Sequence, residues 1–418
     1  MRNDEISLLW QRYVDAKRRG VEPYFDADEI EDLLEHFESL KEKKDFGYIL
    51  NLGLRLHPGN QELIRRACNA LMDEKRYEEA LRLSNELTTE SEDKEMIRME
   101  CYCSLHQYDC AEKRLAQLEK QQVSFLENVC EYLCALFSDA SQWKRNLVLA
   151  AHCARLFPDN LDIRDEYCYA LEKTGNYQEG ILQCNEVLER FPYDTGFWYS
   201  LGRFHFLMGA FEEAIDAFDY GLACGSSDTT TEDIRILRAY CLFMNKNYEK
   251  AIEAYQEIQT GDDAVDLHIK MLVADSYCRL SRFEEAYQCL LEVINTPISD
   301  GDTYMTFVNC CMETGRESEA SAALKKGLRL FPDNMGLLTY QALFYLDEGK
   351  EEEAVKIGIE LFKKVKRLAG AGQDEESPAQ MPRRFFRDIV EGDAQTAREP
   401  SSVEELIYQC INNKSNMN

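Results

Sequence analysis

The chain has 418 residues, and its 77 acidic residues against 48 basic ones leave a formal net charge of −29. That charge sets the molecule as a whole against nucleic acid and anionic membrane surfaces, whose phosphates it would repel. A 45% apolar content is that of a folded protein, and sixteen Cys scattered over so long a chain do not make a disulfide framework.

From the start, "MRNDEISLLWQRYVDAKRRG" has neither a long apolar core nor a small-residue cleavage site, so no signal peptide is expected. No stretch reaches the ~18 apolar residues of a membrane span. These readings predict a cytoplasmic protein with reduced thiols. Residues 4–19 read as one amphipathic helix with Leu9 and Tyr13 inward and Trp10 a third candidate. It is expected to cap the N-terminal end of the fold, with residues 1–26 as the capping segment.

Beyond it the chain repeats. "YEEA" (77–80) recurs as "FEEA" (211–214), "YEKA" (248–251) and "FEEA" (283–286), with weaker echoes between. Their last residues, with Phe46 in front, stand at 46, 80, 111, 146, 180, 214, 251, 286, 320 and 354. The steps between them cluster at 34 residues, the sequence sign of a stacked repeat architecture. Gly175, Gly209, Gly315 and Gly349 each stand five residues before the small residue, where a first helix would end in a left-handed residue. Pro58, Pro158, Pro192 and Pro332 stand twelve residues after it (position 46 for Pro58), where a second helix cannot continue. Each unit therefore predicts an antiparallel helical hairpin. Units three and four, about 92–160, carry Arg98, Met99 and Asn146 where small or apolar residues are expected, and are predicted to be distorted.

Trp198, Leu201, Gly202, Ala214 and Phe218 occupy five positions of the tetratricopeptide repeat (TPR) pattern, with His205 where Tyr is usual and Gly221 where Ala is usual. The chain resembles that family over residues 27–368. The resemblance implies an all-α, right-handed superhelical solenoid of about ten TPR helix-turn-helix hairpins. More loosely, "YFDADEIEDLLEHFE" resembles the start of many cytoplasmic TPR proteins of Bacteroidota-type bacteria. Small residues at fixed positions have a physical reason as well: they let helices approach while large residues fill the gaps. A single hairpin cannot bury both faces, so units stack.

Nothing in the sequence carries the spacing of a known catalytic or nucleotide-binding motif. The six His form no metal pair, and no CxxC appears; no cofactor and no metal are expected. Cys68, Cys134, Cys168 and Cys153 fall at small packing positions and read as buried thiols. What remains is a surface. In such a solenoid the first helix of each unit lines a concave groove with its second, fifth, ninth and twelfth residues. The first unit offers only acid there, Asp28, Glu31, Glu35 and Glu38. Later units offer Tyr169, then Tyr199, Arg203 and Phe206, then Asp233, Ile236, Tyr240 and Phe243, then His268, Met271 and Asp275, and finally Met305, Asn309 and Met312. These residues either anchor a partner or pack against the next unit. The favoured function is a non-catalytic protein-interaction scaffold or adaptor for a peptide or protein with apolar anchors and basic residues. Chaperone-binding TPR domains resemble one another in a clamp for a C-terminal carboxylate. Arg65 and Asn69 match its first part, but Met96, Glu100 and Glu131 leave the basic half missing.

The end of the chain changes character. Residues 369–382 read as a flexible linker, and 383–418 as a tail with two short amphipathic stretches, "RRFFRDIVEG" and "SSVEELIYQCINN". The basic-aromatic character of the first complements an acidic solenoid. The alternative function is therefore an autoinhibited regulator in which residues 383–413 dock on the solenoid until displaced; a disordered tail is the competing expectation.

Overall fold

A computed structural model describes residues 2–88, 91–225, 229–258 and 261–368. The linker, the tail and any docking of residues 383–413 lie outside them. Among the described residues every regular element is helical. The chain divides into two compact units, residues 1–176 and 177–418.

In the first unit, α1 (Arg2–Arg19) precedes the pairs α2 (Ala27–Leu40) and α3 (Lys43–Leu56), α4 (Gln61–Asp73) and α5 (Tyr77–Leu83), α6 (Glu92–Ser104) and α7 (Tyr108–Gln121), and α8 (Leu126–Asp139) and α9 (Trp143–Leu156), followed by α10 (Leu161–Lys173). The second unit opens with α11 (Tyr177–Arg190) and continues with α12 (Thr195–Leu207) and α13 (Phe211–Ala223), α14 (Thr229–Met244) and α15 (Tyr248–Gln256), α16 (Asp263–Arg279) and α17 (Phe283–Val293), α18 (Gly301–Glu313) and α19 (Glu317–Leu330), and α20 (Met335–Asp347) and α21 (Glu351–Leu368). In both units, helices pack on the next in sequence and even-numbered helices also pack on one another, as α12 does on α14 and α16 on α18. The described residues of each unit thus form an all-α stack of helical hairpins.

Two local devices repeat. Each even helix from α2 to α20 except α14 and α8 begins at an Asp, Asn or Ser whose side chain accepts a backbone N–H, as Asn60, Asp194 and Asn334 do. Each even helix ends at a left-handed residue: φ is +76° at Gly175, +74° at Gly209, +73° at Gly315 and +77° at Gly349. The same turn position holds Lys41, Lys75, His106, Ser141, Lys246 and Ser281 in the other hairpins, with φ between 54° and 61°. The backbone N–H of the residue after the left-handed one then bonds back across the turn, as from Ala210 to the His205 carbonyl at 2.9 Å. The turn geometry is therefore constant although only four of these turns use glycine.

Small residues open the odd helices where the period places them. Ala80, Ala111, Ala214, Ala251, Ala286 and Ala320 are completely buried. A Cβ added at Gly202 would lie 2.4 Å from the Phe218 ring, and one at Gly180 would lie 2.2 Å from the Phe204 ring. These glycines are therefore docking points for aromatic rings.

The predicted amphipathic helix forms as α1. Leu9 and Tyr13 enter a core with Phe25, Ile30, Phe37 and Ile49, and the Tyr13 hydroxyl donates to Asp45 at 2.6 Å. Arg12 holds Glu29 through two bonds of 2.6 and 2.9 Å and lies over the Phe25 ring. Trp10, by contrast, points to solvent at 41% exposure. It sits one residue from Leu9 on the helix, about 100° around the axis, which turns it away when Leu9 faces in.

The distortion expected in units three and four is absent: α6 to α9 are full-length helices. Met99 is buried as an ordinary core residue. Buried Asn146 donates from Nδ2 to Ser138 at 2.8 Å and to Glu166 at 3.4 Å, so the small-residue position accepts a polar side chain by bonding its amide nitrogen. Arg98 bonds Glu95 and Asn85, and Arg114 grips the fully buried Glu95 through two 2.7 Å bonds. Irregularity appears earlier. α5 stops after seven residues and passes into a 3-10 turn at Ser84–Glu86, where Ser84 and Asn85 both donate to the Leu81 carbonyl, a local alternative to helical pairing.

Gly202 offers a direct test. Alanine at a helix interior is favoured by about 1 kcal/mol over glycine, but overpacking a filled core costs about 1–3 kcal/mol. With the Phe218 ring fully buried, the clash is expected to win. Gly202→Ala should lower the thermal midpoint of the second unit, by differential scanning calorimetry; a raised midpoint would show that the ring has room to move.

Candidate interaction surface

Residues at helical spacings of four and three share one stripe of a helix. α12 carries Tyr199, Arg203 and Phe206 there; α14 carries Ile236, Tyr240 and Phe243; α16 carries Met271 and Asp275; α18 carries Met305 and Asn309. All belong to the second unit.

Depth divides this set. Tyr199 is 5% exposed, Arg203 2%, Ile236 3% and Met271 8%. Tyr199 packs against Phe218 with ring centroids 6.4 Å apart, and the Arg203 guanidinium lies 5.3 Å from the centre of the Tyr199 ring. Ile236 belongs to the same core. The Met271 sulphur receives the Thr303 hydroxyl at 3.8 Å, joining α16 to α18. The expectation that these four present their side chains to a partner is therefore corrected: neighbouring helices cover them.

The others remain half-buried. Phe206 and Tyr240 meet across α12 and α14 at 5.9 Å, edge to face, and Tyr240 and Phe243 stack at 6.3 Å. The row extends at both ends to residues that the groove positions did not include. Phe211 lies 6.1 Å from Phe206, and Tyr248 lies 5.4 Å from Phe243. Both are the aromatic first letters of the repeated "FEEA" and "YEKA" phrases, a signal spent on finding the period rather than the surface. Five rings thus form one continuous aromatic row across two hairpins.

The remaining groove positions differ in their surroundings. Asp233, on the first turns of α14, is half-buried, and burial raises its carboxyl to about 6 against the opposing pull of Arg203. Asp275 is half-buried, with the Arg279 Nε at 3.8 Å. The Asn309 Oδ1 accepts from the Tyr340 hydroxyl at 2.8 Å. Met305 is half-buried and fills the space above Gly336, where an added Cβ would lie 2.1 Å from its sulphur. Tyr169 belongs to the first unit. It meets Trp143 edge to face at 5.4 Å, with the Lys173 ammonium 5.1 Å from its ring centre.

In the first unit, Arg65 and Asn69 line a shallow hollow of about 120 Å³ with Met96 and Glu100. Arg65 is engaged there by Glu62 at 2.5 Å, so the one basic residue of the partial clamp already has a carboxylate. Cys68, Cys134, Cys168 and Cys153 are buried free thiols. Among the described residues no group of three His, Cys, Asp or Glu side chains is placed to hold a metal ion, and no helix is long and apolar enough to cross a membrane.

The family model described as tetratricopeptide repeat matches residues 169–229, which include α12 and α13. Residues 169–229 thus match the tetratricopeptide repeat family. Solved structures similar to this chain include YrrB, a TPR protein with an unusual peptide-binding site, at 14% identity and a TM-score of 0.41, covering 46% of this chain and 97% of that one. Others are a tetratricopeptide repeat protein from Parabacteroides merdae, at 13% and 0.40 over 63% and 98%, and Pseudomonas aeruginosa pilF, at 12% and 0.41 over 52% and 96%. No curated protein matches the sequence.

Asp233 gives this surface a pH signature. Its folded-state value of about 6 stands above the ordinary 3.8, so folding favours the protonated form. The stability linked to that proton is present at low pH and is lost as pH rises through about 6. A carboxyl-carbon NMR titration of the folded protein should place the Asp233 midpoint near 6. A midpoint near 4 would mean that the carboxyl is better hydrated than this packing allows.

Proposed function

We propose that this TPR protein is a non-catalytic interaction scaffold whose second unit binds a peptide or partner protein through the aromatic row of α12 and α14. The observation that carries this reading is the continuity of Phe211, Phe206, Tyr240, Phe243 and Tyr248, all half-buried in consecutive hairpins. Rings held from below lose little entropy when they are covered, which is why rigid aromatics dominate binding energy at interfaces. Apolar side chains of the partner would insert between the rings. Asp233, ionised above about pH 6, and Asp275 would favour Lys or Arg beside those anchors.

TPR repeats serve protein interaction in general; the occupant, the choice of this surface and the absence of catalysis are parts of the proposal. The test is capture of partners by the full chain and by a variant carrying Phe206→Ala, Tyr240→Ala and Phe243→Ala. Anchors of this type contribute about 2 kcal/mol or more each, so affinity for each true partner should fall at least 30-fold. Circular dichroism must show unchanged helix content. A Tyr220→Ala control, an exposed ring stacked on Trp198, should bind normally. Equal recovery by the folded triple variant would overturn the assignment.

A further inference from the structure

We propose that Cys278 and Cys310 are a redox pair that closes to a disulfide, tying α16 to α18. Its bearing on partner binding rests on the surface proposed above; its formation does not. The two sulphurs lie 3.4 Å apart across neighbouring even helices, one repeat apart in sequence. A disulfide spans about 2.05 Å, so the gap to close is little more than an ångström.

Position separates this pair from the protein's other close thiols. Cys278 stands three residues beyond Asp275 on the same stripe of α16, at the repeat position held by Phe206, Phe243 and Met312 elsewhere. It is half-buried, whereas Cys310 is completely buried in the core beneath. An oxidant therefore meets Cys278 first and Cys310 behind it, the arrangement of an attacking and a resolving thiol. Cys130 and Cys153 also share a hydrogen bond, but at 1% and 0% exposure neither offers an entry point.

The oxidant class is a hydroperoxide. The Cys278 thiolate attacks the terminal peroxide oxygen, the O–O bond breaks, and water or an alcohol leaves, giving a sulfenic acid. The Cys310 sulphur then attacks the Cys278 sulphur; the S–O bond breaks, and its oxygen leaves as water with the Cys310 proton. Two thiols lose two electrons and two protons, and one hydroperoxide is reduced. A dithiol reductant reverses the bond by exchange. The hydrogen bond to Cys310, reinforced by burial and by Asp275 against the opposing Arg279, holds the Cys278 thiol well above its ordinary value. Little thiolate is present at neutral pH, so oxidation should be slow there and speed up with pH.

The test uses the full wild-type chain, reduced, desalted and exposed to hydrogen peroxide at pH 7.5 and 8.5. Remaining thiols are then blocked, and the protein is digested without reductant for mass spectrometry. The expected product is the Cys278 peptide joined to the Cys310 peptide, two hydrogens lighter than the pair and released by dithiothreitol. It should form about tenfold faster at the higher pH, in step with the thiolate fraction. The linked protein should show slower amide exchange in α16 and α18, and Cys278→Ser should abolish both effects. Conversion of Cys278 to sulfinic acid without a link, a link to a different cysteine, or both thiols still open to alkylation after peroxide would each overturn the proposal. Because no partner is added, the outcome is independent of whether the aromatic row binds one.

Discussion

Two helices can pack as closely as these hairpins require only if one of them presents almost no side chain at the crossing. Ala214, completely buried, and Gly202, with the Phe218 ring where its Cβ would be, meet that condition in one hairpin. Gly180 of α11, under the Phe204 ring of α12, meets it at the crossing before. The rest of the fold depends on this approach. A closely packed hairpin still has an apolar face left over, and covering it takes the next hairpin. The tight turn that starts the return helix takes a left-handed residue, which is why Lys246 and Ser281 accept a conformation that glycine adopts more easily.

The sequence made the period, the helical hairpins and the positions of the turns legible because each depends on residue size at a fixed spacing. It was less informative wherever several residues compete for one role. Leu9 and Trp10 are both apolar, and only the angle between neighbours on a helix decides which faces in. Asn146 looked like a disruption because its partners, Ser138 and Glu166, are eight and twenty residues away along the chain. The shortening of α5 arises from two side chains bonding one carbonyl, which no period reports.

The candidate surface shows the same division. Helical spacing identified the stripe but not its depth. Tyr199, Arg203, Ile236 and Met271 share that stripe with Phe206, Tyr240 and Phe243, yet lie under neighbouring side chains such as Phe218 and Thr303. Spacing from the start of each unit fixes direction, while the bulk of the adjacent hairpin fixes what is covered. In the proposed function, the buried members of each stripe hold the half-buried rings in place. A partner would then meet a prearranged row in a strongly acidic molecule, with Asp233 on α14 and Asp275 on α16.

The most direct measurement is hydrogen exchange of the full chain with and without a captured partner. The account predicts added protection in α12 and α14, centred on Phe206, Tyr240 and Phe243, with α13 and α15 changing mainly at Phe211 and Tyr248. Protection confined to residues 2–176, or to the odd-numbered helices away from those two rings, would contradict it.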